Sequence, residues 1–105
     1  MKTDWEAANP KRFTYLGNGI NAIANGVESE AYDPGLAADG FYCQYAMASY
    51  EEDFNTIAAA LFGGDLKLWD AVEQFPAFRR KVELMVAFYE DLEPTFTKSY
   101  FKSLR

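Results

Sequence analysis

Histidine is missing from the 105-residue sequence, and that absence narrows its chemistry. Histidine changes charge near neutral pH and is a leading general base and metal ligand. Without it, neither a Ser-His-Asp nor a Cys-His arrangement can be assembled from this chain. Cysteine is nearly as scarce. Cys43 stands alone in the run Phe41-Tyr42-Cys43-Gln44-Tyr45, so no internal disulfide and no all-cysteine zinc cluster can form within one chain. A nucleophilic thiol needs a cation beside it. This run has none, and Cys43 reads as a small buried hydrophobe. No apolar run approaches the ~20 residues that span a bilayer. The opening Met1-Lys2-Thr3-Asp4-Trp5-Glu6 is acidic and lacks the apolar h-region of a secretory leader, so no such signal is expected. The expected location is the cytoplasm, with no membrane contact.

Basic residues are also absent from the whole middle of the chain. From Phe13 through Leu66 there is no lysine or arginine, yet this stretch holds Glu28, Glu30, Asp33, Asp39, Glu51, Glu52, Asp53 and Asp65. Lysine and arginine occur only at Lys2, Lys11 and Arg12 and again from Lys67 onward. Summed like charge repels polyanions and attracts cations or basic protein surfaces. With a formal net charge of -6, direct binding to nucleic acid is not expected, because that relies on Lys and Arg neutralising phosphates.

What the chain does have is apolar and aromatic. Half its residues are hydrophobic and 17% are aromatic, which separates it from a disordered acidic tail. Its length suits a single domain, 1–105, with a core that folds without metal or disulfide. The punctuation is helical. Thr3 caps a short turn through Ala8 that lays Trp5 on the core. Asn9-Pro10 opens a helix carrying Phe13, Leu16, Ile20 and Ile23, stopped at Asn25-Gly26. Gly17 and Gly19 inside it each cost about 1 kcal/mol relative to alanine. Either a neighbour packs closely there, or the helix breaks at Leu16 and restarts near Asn18. Asp33-Pro34-Gly35 is a turn, followed by a buried helix from Pro34 or Leu36 to Ala48 in which Gly40 admits a close neighbour. Ser49-Tyr50-Glu51-Glu52 is a capping box for a helix ending at Gly63-Gly64. Asp65 caps a helix through Gln74. Beyond Pro76, the residues Phe78, Val82, Met85, Tyr89 and Leu92 repeat at 4-3-4-3, the clearest amphipathic stripe in the chain. Thr95 to Leu104 forms a last segment. The expectation is all-α, a compact single-domain bundle of five or six short helices.

Three constellations are candidates for function. The first is the acidic middle. Three consecutive acids, Glu51, Glu52 and Asp53, exceed what the dipole of one helix N-terminus needs. With Glu28, Glu30 and Asp33 they form an expected partner-binding face, anchored by Tyr32 and Tyr50. Its expected role is non-enzymatic: to bind and block or modulate a protein partner with a basic surface. Small phage-borne or mobile-element inhibitors have this size and charge. The triplet Arg79-Arg80-Lys81 is the counterweight, and one of its cations is expected to pair with Glu83 or with an acid of the middle region. The separation of charge along the chain also permits self-association as a homodimer.

The second constellation is Asp70 with Glu73 and Glu90 with Glu93, each pair three residues apart on a helical face. Two such pairs on antiparallel neighbours can hold Mg²⁺ through oxygen ligands. The pattern resembles the paired acidic motifs of all-α nucleoside triphosphate pyrophosphohydrolases of the MazG type. That resemblance covers these four positions and implies magnesium held against a nucleotide. It departs from the family in ending the second pair with Glu93 rather than aspartate, directly before Pro94. The third constellation is an aromatic ligand site lined by Phe41, Tyr45, Phe54 and Trp69. The leading expectation has no catalytic residue, metal or cofactor.

Overall fold

The computed structural model describes residues 1–17 and 19–105. Its elements are helical: α1 (Lys2–Ala7), α2 (Ile20–Ala24), α3 (Pro34–Ala37), a 3₁₀ turn (Gln44–Met47), α4 (Tyr50–Phe62), α5 (Leu66–Gln74), α6 (Pro76–Leu92) and α7 (Lys98–Ser103). The all-α expectation holds, with seven α-helices among the described residues instead of five or six. No helix is long and apolar enough to cross a membrane, among the residues described. The Cα radius of gyration is 13.2 Å, close to the ~13 Å of a compact chain of about this length.

The C-terminal half follows its local signals. Ser49 Oγ accepts from the Glu52 amide at 3.1 Å and starts α4. Asp65 Oδ1 accepts from the Lys67 amide at 2.9 Å and starts α5. Pro76 occupies the first turn of α6, where its missing N–H leaves nothing unsatisfied. α4 packs on the 3₁₀ turn, α5 and α6, while α1 lies along α6. Between them sits the main core, in which Trp5, Ile57, Leu61, Leu68, Phe78, Met85 and Phe101 are all fully buried.

The N-terminal half departs from its expected helices. Instead of one helix from Pro10 to Asn25, residues 13–17 have no regular secondary structure. The Leu16 and Gly17 amides donate to the carbonyls of Met47 and Ala48 at 2.9 and 2.7 Å. Gly17 and Gly19 adopt φ of +103° and +57°, which a right-handed helix does not allow. No helix runs from Pro10 to Leu16, so the expected helix is absent rather than broken there. The expected restart at Asn18 lies outside the described residues, and α2 begins at Ile20. The expected helix from Pro34 to Ala48 stops at Ala37. Gly40, at φ +99°, turns the chain so that Tyr32 and Cys43 pair in an isolated antiparallel bridge before the 3₁₀ turn. Cys43 is fully buried, as its aromatic setting implied.

One buried charge cluster ties these halves together. Asp53 and Lys81 are each 0% exposed, and Lys81 Nζ lies 2.8 Å from Asp53 Oδ2. The same oxygen accepts from Trp5 Nε1 at 2.9 Å and from the Tyr15 hydroxyl at 2.7 Å, and Asn9 Nδ2 donates to that hydroxyl at 3.1 Å. Lys81 Nζ also stands 4.0 Å from the Phe41 ring centroid, within cation–π range. Gly40 makes room for this lysine. A Cβ there would sit 3.3 Å from Ala77 Cβ and 3.5 Å from Lys81 Nζ. Burial pushes the Asp53 carboxyl up, against the opposing pull of Lys81, Trp5 and Tyr15. It pushes the Lys81 ammonium down, against the pull of Asp53.

Asp53 therefore leaves the expected partner-binding set. Its position on α4 explains why: it precedes the buried Ile57 by four residues and the buried Leu61 by eight, so it shares their inward face. The expectation that a cation of Arg79-Arg80-Lys81 pairs with an acid of the middle region is met by Lys81 and Asp53.

Two substitutions test this frame. Removing one member of a buried ion pair strands the other charge, so Lys81→Met alone is expected to cost about 3–5 kcal/mol. The double variant Lys81→Met with Asp53→Leu should cost clearly less than the sum of the two single changes by urea denaturation. Additive losses would mean that the two groups are not coupled. Gly64→Ala is the second. At φ +67°, a Cβ there would overlap the Leu104 carbonyl, with the carbonyl carbon 2.6 Å away. We expect a loss of about 2 kcal/mol from the left-handed backbone and the displaced end of α7, read as a lower Tm. An unchanged Tm would show that the C-terminal turn does not rest on Gly64.

Candidate functional site

Tyrosines gather the surface carboxylates. The Tyr32–Cys43 bridge brings the rings of Tyr32 and Tyr42 together, with centroids 5.1 Å apart, and the Asp33 amide donates to the Tyr42 carbonyl at 3.0 Å. Tyr45 leaves from the 3₁₀ turn, whose first residues are held by its own amide donating to the Ser29 carbonyl at 2.9 Å. Asp65 serves twice at the start of α5. Its Oδ1 caps the helix, and its Oδ2 accepts from the Tyr42 hydroxyl.

Burial and nearby carboxylates together hold these phenols protonated. Partial burial raises the Tyr32 pKa, and the carboxylates of Asp70, Asp65 and Asp33 raise it further. Burial and then Glu52 and Glu30 do the same for Tyr45. For Tyr42, burial leads, followed by the hydrogen bond and charge of Asp65. The charges of Asp33, Asp65 and Asp70 thus act on Tyr32 and those of Glu30 and Glu52 on Tyr45, and Glu30 and Asp65 meet in one pocket beside Tyr42.

That pocket has a volume of about 360 Å³. Thr56, Ala59 and Gly63, spaced three and four apart along one face of α4 and its cap, supply small linings. Tyr42, Glu30 and Asp65 complete it. Glu30 is exposed and Asp65 half-buried. Among the described residues, the single ion pair within 4.0 Å is the buried Lys81–Asp53, so no ammonium or guanidinium pairs with these surface carboxylates.

The expected site residues are therefore divided. Asp33 acts on Tyr32, and Glu30 and Glu52 act on Tyr45, while of the expected residues Glu30 alone lines the pocket. Asp33 also caps α3, its Oδ1 accepting from the Gly35 and Leu36 amides at 2.9 and 3.2 Å. Glu28 is exposed but does not line the pocket. Tyr50 and Glu51 line a different groove of about 250 Å³ with Met1, Phe54 and Phe88, and Lys2 Nζ lies 5.4 Å from the Tyr50 centroid. Asp65, Asp70 and Tyr45 were not expected in this set. Asp65 had a sufficient local explanation as a cap, and Asp70 and Tyr45 join it only through the chain's tertiary path.

The other constellations are not assembled. The charge of Asp70 acts on Tyr32, whereas Glu90 lines a groove with Val72, Val82 and Lys98, and Glu93 Oε1 accepts from the Thr95 amide at 3.3 Å. Among the described residues, no three His, Cys, Asp or Glu stand where they could hold a metal ion together. Phe54 and Trp69 belong to the main core and Phe41 to another cluster, with Tyr45 at its margin, so these aromatics do not enclose one cavity. Comparison with protein-family models, curated proteins and solved structures finds no match to this chain.

The shielded phenols predict an alkaline limit. Folded tyrosines with pKa above the ordinary 10.0 hold their protons where the unfolded chain has lost them. Their contribution is fully present below pH 10.0 and is lost as the pH rises beyond it. The urea midpoint should fall above about pH 10, and Tyr42→Phe should make that fall shallower. An identical slope in the variant would contradict the shielding of Tyr42.

Proposed function

We propose that this protein is a non-enzymatic binding module that docks its acidic, tyrosine-bearing face onto a basic surface of another protein. The observation that supports this reading is the gathering of Glu30, Asp33, Glu52, Asp65 and Asp70 around Tyr32, Tyr42 and Tyr45 without cationic side chains paired to them. Like charges held together raise the local potential, and a partner's Lys and Arg residues relieve it. Such pairing speeds encounter and fixes orientation more than it adds raw affinity. Half-buried phenols are suitable anchors because they combine apolar area with a polar tip at little conformational cost. A partner whose basic surface otherwise binds phosphate groups would be blocked by occupation of that surface.

The test is capture of partners by the immobilised protein and by the Glu30→Lys, Glu52→Lys, Asp70→Lys variant. All three residues lie at the surface, and circular dichroism checks that the variant is folded. Proteins retained by the wild type should be released as ionic strength rises from about 0.01 to about 1 M, over which the Debye length falls from ~30 to ~3 Å. The variant should not retain them at any salt concentration. Retention that ignores both salt and charge reversal would overturn the proposal.

A further inference from the structure

The pocket in the acidic face has a shape and lining that specify more than a sign of charge. Thr56, Ala59 and Gly63 present no large side chain, so α4 leaves open a space of about 360 Å³. Tyr42 gives it an aromatic lining. Asp65 gives it a carboxylate held in place from both oxygens, by the Lys67 amide at 2.9 Å and by the Tyr42 hydroxyl. Glu30 contributes a second carboxylate from a different segment, and it is exposed and without a cationic partner among the described residues. An anion fixed before binding loses little freedom on contact, which favours a specific cation over a diffuse atmosphere.

We infer that this pocket receives one arginine side chain of the protein partner, its guanidinium pairing with Glu30 and Asp65 and lying against Tyr42. The inference rests on the docking reading above and adds to it an anchor residue. A flat guanidinium suits the pocket better than an ammonium does. It stacks on an aromatic ring and presents a planar fork of donors that reaches carboxylates on two segments, whereas an ammonium is a compact, strongly hydrated point charge. The small residues of α4 matter because a larger side chain there would fill the space while leaving every charge in place. That separates a pocket from a field.

The experiment uses three blocked tripeptides, Gly-Arg-Gly, Gly-Lys-Gly and Gly-citrulline-Gly, titrated into the full chain and followed by amide NMR. The arginine peptide should shift Ala59 and Gly63 saturably. The lysine peptide should bind more weakly, and citrulline, which keeps the shape without the charge, should not bind. Glu30→Gln should weaken arginine binding about two- to fivefold, the scale of one exposed charge pair. Ala59→Leu, at an exposed position, should abolish it. Shifts that do not saturate, equal response to citrulline, or full binding by Ala59→Leu would overturn the inference. Nona-arginine separates this outcome from failure of the docking reading. If Ala59→Leu retains nona-arginine and the Glu30→Lys, Glu52→Lys, Asp70→Lys variant loses it, the face binds cations and the pocket inference is wrong. If neither change affects retention, both are wrong.

Discussion

A single carboxylate oxygen organises the interior. Asp53 Oδ2 receives the ammonium of Lys81, the indole N–H of Trp5 and the hydroxyl of Tyr15, all at 2.7–2.9 Å. Those donors come from α6, α1 and the irregular segment between α1 and α2, and the acceptor comes from α4. Removing two charges from water is costly, and their attraction offsets that cost only where geometry is good and further donors satisfy the anion. Here the chain supplies two such donors from its first fifteen residues, both to Oδ2, while the buried Oδ1 has no hydrogen-bond partner among the described residues. An apolar contact would tolerate sliding, but a charge stranded in a dry core would not. The N-terminal arm therefore has one seat on the helical frame.

That internal pair has a consequence at the surface. Lys81 is the basic residue committed to an acid of the middle region, and it neutralises the one acid that is buried. Arg79, its neighbour, donates to the carbonyls of Val72 and Glu73 at 2.8 and 2.9 Å and so clamps the end of α5. Glu30 and Asp65 are left lining the pocket beside Tyr42 without a cationic partner among the described residues.

The N-terminal half gains its order from contacts distant in sequence. The Leu16 and Gly17 amides find the carbonyls of Met47 and Ala48, and Gly40 turns the chain at φ +99° beside Ala77 and Lys81. A Tyr-Cys-Gln-Tyr run that alternates in size reads as a helical face or as a bridge with a 3₁₀ turn. The ring pairing of Tyr32 and Tyr42, and the hydroxyl bonded to Asp65 across 23 residues, select the second form.

By itself, the sequence determined the helical class, the limits of α4, α5 and α6, the burial of Trp5 and Cys43, and the charge of the middle region. Each of these rests on a signal within a few residues: a cap, a proline, a 3.6-residue stripe or a missing lysine. Tertiary structure alone decided that Asp53 turns inward, that Glu51 and Tyr50 part from Glu30 and Glu52, and that the charges of Asp65 and Asp70 act on Tyr32. The physical reason is range. Caps and stripes act within one helical turn, whereas the grouping of carboxylates around Tyr32, Tyr42 and Tyr45 depends on how segments far apart in the chain pack.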